Sequence, residues 1–206
     1  MQRRRFLQNA GTAGAALSLG LITRAVSAAP GAQGGSRVLV IFYSRAGENY
    51  APGGTEVLEV GHTAQMARFI AGAAGADVYE IRTVDPYPQG YRETTELVQE
   101  QFNKNIRPKL AGSMPDLSKY DVVFFGHPIW WGRLPPPVRT FLDAADFSGL
   151  KVAHFCTHGG SRFGASDREL REFEPKAEYL EGMELYGTDV NGSKVEVEGW
   201  VRRVLG

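Results

Sequence analysis

Five short segments of β-branched and aromatic residues punctuate residues 37–206, and helical periodicity fills most of the intervals between them. Val38 to Tyr43 is apolar without interruption, which predicts a strand buried on both faces. The segments "ADVYEI" (76–81), "YDVVFFGHP" (120–128), "KVAHFCTHGG" (151–160) and "GMELYGTDV" (182–190) predict four more strands. Residues 62–75 set Met66, Phe69, Ile70 and Ala73 at helical spacing and close on Gly75, a natural helix stop. Residues 90–105 predict a polar, exposed helix, and 135–146 a helix with prolines at its first positions, where a missing N–H costs nothing. Residues 166–177 predict a helix capped by Ser166, and 195–205 a closing helix. The stretch 45–61 reads as too rich in glycine and proline for a regular element. Strands alternating with helices predict an α/β fold, a three-layer doubly wound five-stranded parallel sheet. In such a sheet ligands sit beyond the carboxyl ends of the strands, so the segments after strands one, three and four are the places to look.

Composition narrows the classes. With 43% hydrophobic and 22% charged residues in 206, the chain can bury one substantial core. Its formal charge is zero, but residues 1–29 hold Arg3, Arg4, Arg5 and Arg24 and no acid. Taking these four from the 23 basic residues leaves 19 against 23 acidic, a balance of −4, with no basic stripe for nucleic acid. Cys156 is the only cysteine, which excludes an intramolecular disulfide and a cysteine-built metal cluster.

Residues 1–29 have the parts of an export signal: a basic start, a weakly apolar Ala/Gly-rich middle, and small residues where a peptidase can cut. Arg3-Arg4-Arg5-Phe6-Leu7 resembles the twin-arginine signal, whose route carries folded, often cofactor-loaded proteins. The apolar span is short and broken by Arg24, so stable membrane insertion is not expected. Residues 30–36 then form a flexible lead-in to a single domain over 37–206, expected to be soluble in the periplasm or otherwise outside the cytoplasm.

Three loops carry the candidate chemistry. The first opens with Ser44-Arg45 and closes with Gly61-His62-Thr63-Ala64 at a helix start, where free N–H groups and small hydroxyls can cradle an anion; plain helix capping by Thr63 is the alternative. The second, "GHPIWWGRLPPP", places Trp130 and Trp131 at the exit of a buried strand between Pro128 and Gly132. Adjacent residues point apart, so at least one indole is expected to face a cleft as a stacking plate for a flat ligand, unless both pack against a neighbouring loop or a second copy. The third, "THGGSRFGAS", sends Thr157 and His158 off strand four, and Gly159-Gly160 let backbone N–H groups approach a heterocycle. His154, Cys156 and His158 share a strand face, but with no fourth ligand in view they carry no metal site. Neither Ser44 nor Ser161 has the setting of a hydrolase nucleophile.

The segments "IFYSRAGEN", "YDVVFFGHPIWWGRLPPPVRTFLD" and "VAHFCTHGGSRFGAS" closely resemble flavodoxin-like proteins that bind flavin mononucleotide, FMN. The resemblance implies strand order 2-1-3-4-5. It places Ser44, Arg45, His62, Thr63 and Ala64 around the phosphate. Pro128, Ile129 and Gly132 would flank the isoalloxazine, with Trp130 or Trp131 stacking on it and a backbone carbonyl near Gly132 tuning it. Thr157, His158, Gly159 and Gly160 would meet the pyrimidine edge, with Ser161 and Phe163 nearby. One departure is plain: the phosphate loop is split, with about sixteen residues between Ser44 and Gly61, and His62 stands where asparagine is usual. The insertion, with Glu48, Asn49 and Tyr50, can lie over the flavin and govern what reaches it. The function implied is an electron carrier docking a redox partner protein. A flavin-dependent reductase of quinone-like small molecules is the alternative, and a flavin-free binding module the third reading.

Overall fold

In β1 (Val38–Tyr43) all six side chains are buried, and they divide between two cores. Val38, Val40 and Phe42 enter one cluster, while Leu39, Ile41 and Tyr43 enter the other. This is the two-sided burial that an uninterrupted apolar strand requires. The computed structural model describes residues 36–206; the signal over 1–29 and the lead-in up to residue 35 lie outside the described residues.

The elements follow as β2 (Gly47–Ala51), β3 (Gly54–Leu58), α1 (His62–Ala74), β4 (Asp77–Ile81), α2 (Tyr91–Asn103), β5 (Val122–Pro128), α3 (Pro136–Leu142), β6 (Lys151–His158), α4 (Ser166–Phe173), β7 (Glu178–Tyr179), β8 (Met183–Tyr186) and α5 (Lys194–Leu205). The main sheet runs β4-β1-β5-β6, all parallel, with β7 and β8 both pairing on the far side of β6. That is the order 2-1-3-4-5 with its fifth position shared by two short segments. Helices α1 and α5 cover the core built on Phe124, Phe155 and Trp200. The other core gathers Phe125, Phe141 and Phe147, with Val98 of α2 and Leu170 of α4.

Four expectations are corrected. Residues 45–61 are not irregular: β2 and β3 form an antiparallel hairpin. Its Pro52-Gly53 pair sits in the turn, with Gly53 at φ 83°, so the two residues that argued against a strand instead fold the strands back. Helix α2 is not merely a solvated face, because Thr94, Val98 and Gln101, spaced i, i+4, i+7, are buried. Ser166 does not cap α4; it is the first helical residue, and its Oγ donates to the Phe163 carbonyl at 2.6 Å. The fifth predicted strand stops at Tyr186, and residues Gly187–Gly192 turn into a 3-10 helix, as their Gly, Asp and Asn content favours.

Candidate functional site

At the carboxyl ends of β1, β5 and β6 lies a cavity of about 660 Å³. All three predicted loops reach it. Ser44, Arg45, His62 and Thr63 line one part, Pro128, Ile129, Trp130, Trp131 and Gly132 a second, and Thr157, His158, Gly159 and Ser161 a third. Ala64, Gly160 and Phe163 do not line it. The Ala64 amide is spent on Ser44 Oγ at 3.1 Å, and that of Gly160 donates to His158 Nδ1 at 2.9 Å. Phe163 turns away and packs on the His154 ring, 4.7 Å between centroids.

Helix α1 opens into the first part. Its N-cap, Gly61, offers no side chain, so the amides of His62 and Thr63 have no acceptor within the helix. Thr63 does not cap. Its buried Oγ1 meets Thr157 Oγ1 at 2.7 Å and ties the start of α1 to the end of β6. Ser44 Oγ, having accepted from Ala64, keeps its own proton free to donate. A Cβ on Gly61 would sit 2.4 Å from both the Arg45 carbonyl oxygen and Ser44 Oγ. Gly61→Ala is therefore expected to push α1 away from Ser44 and weaken any anion held there by at least about tenfold, the worth of one charged hydrogen bond. Titration of the variant and the natural chain with a phosphate monoester checks this.

Arg45 is placed differently from the expectation. Its guanidinium donates to the carbonyls of Pro88 (2.9 Å), Gln89 (3.2 Å) and Glu48, so three of its five N–H donors strap the hairpin to the loop before α2. Burial pulls its pKa down, against the pull of Tyr43 and Glu48. Glu48 completes the strap: Oε2 accepts from the amide of Tyr91, the first residue of α2, at 2.8 Å. His62 faces Glu56 of β3 at 3.3 Å, and burial draws its pKa below the ordinary value despite that carboxylate.

The tryptophans divide their roles. Trp130 packs edge-on against Tyr43 (5.3 Å) and Tyr87 (5.0 Å) and belongs to the core side of the wall. Trp131 is 58% exposed. The two sit in a tight turn in which Trp130 and Arg133 exchange backbone hydrogen bonds at 3.3 and 3.0 Å, with Trp131 at φ 52° and Gly132 at φ 71°. Positive φ at both central residues marks a type I′ turn, normally Asn-Gly; a bulky residue at the first position is strained. The carbonyl of Gly132 accepts from the Ala165 amide at 2.7 Å, so the carbonyl expected near the ring is instead an anchor for the turn.

Asn49 and Tyr50, which the sequence named within the insertion, reach the cavity from the hairpin. Tyr91, Thr94, Thr95 and Val98 of α2 and Gly187 of the 3-10 turn also line it and were not read as site from the sequence. Tyr50 lies so close over Gly159 that a Cβ there would be 2.5 Å from its ring. The i, i+4 spacing of Thr94 and Val98 was the available signal for α2.

Fold and site together define a doubly wound α/β protein with a ligand cavity at its switch point. The flavodoxin family profile matches residues 57–204, and the chain belongs to the flavodoxin family. A Bacteroides eggerthii protein assigned as a flavoprotein is 26% identical, covering 82% of this chain and 98% of its own, with a TM-score of 0.65. Its counterpart from Bacteroides uniformis is 25% identical, covers 82% and 99%, and gives 0.64. A flavoprotein from Lactobacillus acidophilus, solved in complex with FMN, is 19% identical over 76% of this chain and 97% of its own, at 0.55, a likeness of fold.

Proposed function

We propose that this chain binds FMN in the 660 Å³ cavity and works as a redox carrier that is exported already folded. The observation that carries the reading is the convergence of three unlike features on one cavity: the open N-terminus of α1, the exposed indole of Trp131, and the 157–160 loop. The residues fit the cofactor. The amides of His62 and Thr63, with no acceptor in the helix, and the Ser44 hydroxyl suit a phosphate, and Trp131 suits a flat ring. Membership in the flavodoxin family supports a flavin, and FMN is the flavin held by the Lactobacillus acidophilus protein of the same fold. Bound flavin supplies one- and two-electron chemistry. The chain contributes anion binding, stacking and, through the strapped hairpin, exclusion of water. The redox partner would be a protein, and the twin-arginine-like start supports an encounter outside the cytoplasm.

A second reading, a reductase of quinone-like small molecules, draws on the wall of α2, where Tyr91, Thr94, Thr95 and Val98 carry the cavity beyond the three loops. Turnover of a reduced nicotinamide with a quinone would favour it over the carrier.

The test is the visible absorption spectrum of the purified protein and the identity of what heat releases. Flavin bands with FMN released are expected. A colourless protein that also fails to quench FMN fluorescence would overturn the reading.

A further inference from the structure

His127, the penultimate residue of β5, and His154 of β6 face each other on the α3–α4 side of the sheet, directly behind the Pro128 wall. Both are buried, and their Nε2 atoms are 2.8 Å apart. At the far end of each ring stands an acceptor: the Pro128 carbonyl, 3.0 Å from His127 Nδ1, and Asp167 Oδ1, 3.2 Å from His154 Nδ1. Four ring nitrogens thus make three contacts, and each contact needs one proton. Two neutral imidazoles carry only two.

We propose that His127 and His154 share one extra proton, and that this proton positions the Pro128–Gly132 wall of the cavity by holding the Pro128 carbonyl. The part concerning ligand affinity rests on the flavin reading; the proton count does not. With the third proton present, the line runs unbroken from the Pro128 carbonyl through His127 and His154 to Asp167. When it leaves, one contact must become lone pair against lone pair. The Asp167 end keeps its proton, because an ionised carboxylate is a stronger acceptor than the neutral Pro128 carbonyl, and Arg171 at 2.9 Å helps to keep Asp167 ionised. The two packed rings, 4.9 Å apart, keep the one between them. The unmatched contact is then His127 Nδ1 against Pro128, at the strand exit, where the carbonyl can turn away. Pro128 leads straight into Ile129, Trp130 and Trp131, so its release loosens the stacking wall.

The charges around the pair come from each element packed on it. Helix α4 offers Asp167 and Arg171, and its Glu169 is engaged by Arg133 and by Arg139 of α3. On β6 lies Cys156, and Glu184 of β8 is taken by His158 and Arg162. Burial of both rings favours loss of the proton, and Asp167 opposes that loss.

The experiment follows the imidazole N–H protons of the whole 15N-histidine-labelled protein by NMR from acid to alkaline pH. In parallel, riboflavin affinity is measured by fluorescence quenching; riboflavin has no phosphate to titrate. Three ring protons on the pair at the acid end and two at the alkaline end are expected, with affinity falling about tenfold through the same transition, one hydrogen bond's worth. In His127→Asn the amide stands where Nδ1 stood and does not titrate, so affinity should persist and lose that pH step. Asp167→Asn, on the half-exposed face of α4, should move the transition to lower pH. Two protons at every pH, a transition without change in affinity, or a step that survives in His127→Asn would each overturn the proposal. Failure of riboflavin and FMN to bind at any pH would instead remove the flavin reading, and the proton count would then decide the pair alone.

Discussion

Glu169→Ala is expected to lower the free energy of unfolding by about 3–5 kcal/mol, the cost of breaking a buried ion pair from one side. Glu169 is only 6% exposed, on the inner face of α4. Its Oε1 accepts from Arg133 Nε at 2.7 Å and from Arg139 at 2.6 Å, and its Oε2 from the Leu134 amide at 3.1 Å. Removing the carboxylate strands the Arg139 guanidinium, whose side chain is 11% exposed, with only the Phe102 ring at 5.5 Å and the Leu134 carbonyl for company. It also frees Arg133 and Leu134, the exit of the tryptophan turn, so stacking at Trp131 should weaken too. Glu169→Gln retains an acceptor for Leu134 and loses the charge, and should fall between. Burial acts to raise the carboxyl's pKa, but Arg133, Leu134 and Arg139 outweigh it and hold the pKa below its ordinary 4.5. A depressed acid stabilises fully above its unfolded pKa and loses that contribution as pH falls through the folded value. Urea titrations should therefore show a wide gap between natural chain and variant at neutral pH, narrowing in acid. A gap below about 1 kcal/mol at neutral pH, the size of an exposed pair, would mean that the arginines are well served by water.

The layered fold was legible in the sequence because its signal is burial. Runs such as Val38 to Tyr43 and Val122 to Phe125 are apolar at every position, and only a strand covered on both faces tolerates that. The three loops were legible for a related reason: chain leaving a buried parallel strand arrives at the switch point whatever its own composition. The hairpin was not. Its Pro52-Gly53 turn looks like a breaker until the strands on either side are paired, and the pairing is a contact that composition does not record. Nor was Arg45's role legible, since its partners are the carbonyls of Pro88 and Gln89, more than forty positions along the chain, and carbonyls carry no sequence mark. The roles of Trp130 and Trp131 needed a backbone angle, because φ 52° turns one indole outward while Tyr43 and Tyr87 retain the other.

That angle makes Trp131 the residue at which stability and binding should part. A non-glycine residue in the left-handed region costs about 1 kcal/mol, and the first central position of a type I′ turn is one that asparagine fills readily. Trp131→Asn should therefore raise stability by up to about 1 kcal/mol, since an indole 58% exposed returns little burial for the strain. The same change should weaken FMN binding by roughly 1–3 kcal/mol, about fivefold to 150-fold, through lost stacking. Trp130→Ala should do the reverse in kind. It removes two edge-on aromatic contacts from the core, costing about 2 kcal/mol of stability, and affects the ligand only through the loosened wall. Thermal unfolding and FMN titration of both variants separate the two roles. If Trp131→Asn lost stability and kept its affinity, the strained turn would be serving the fold, and the stacking surface would have to be sought on Tyr50, the aromatic that the hairpin holds across Gly159. If it gained stability and lost affinity, the strain at Trp131 is what the site costs the fold, held in place by the Trp130–Arg133 bonds and by the Ala165 amide on Gly132.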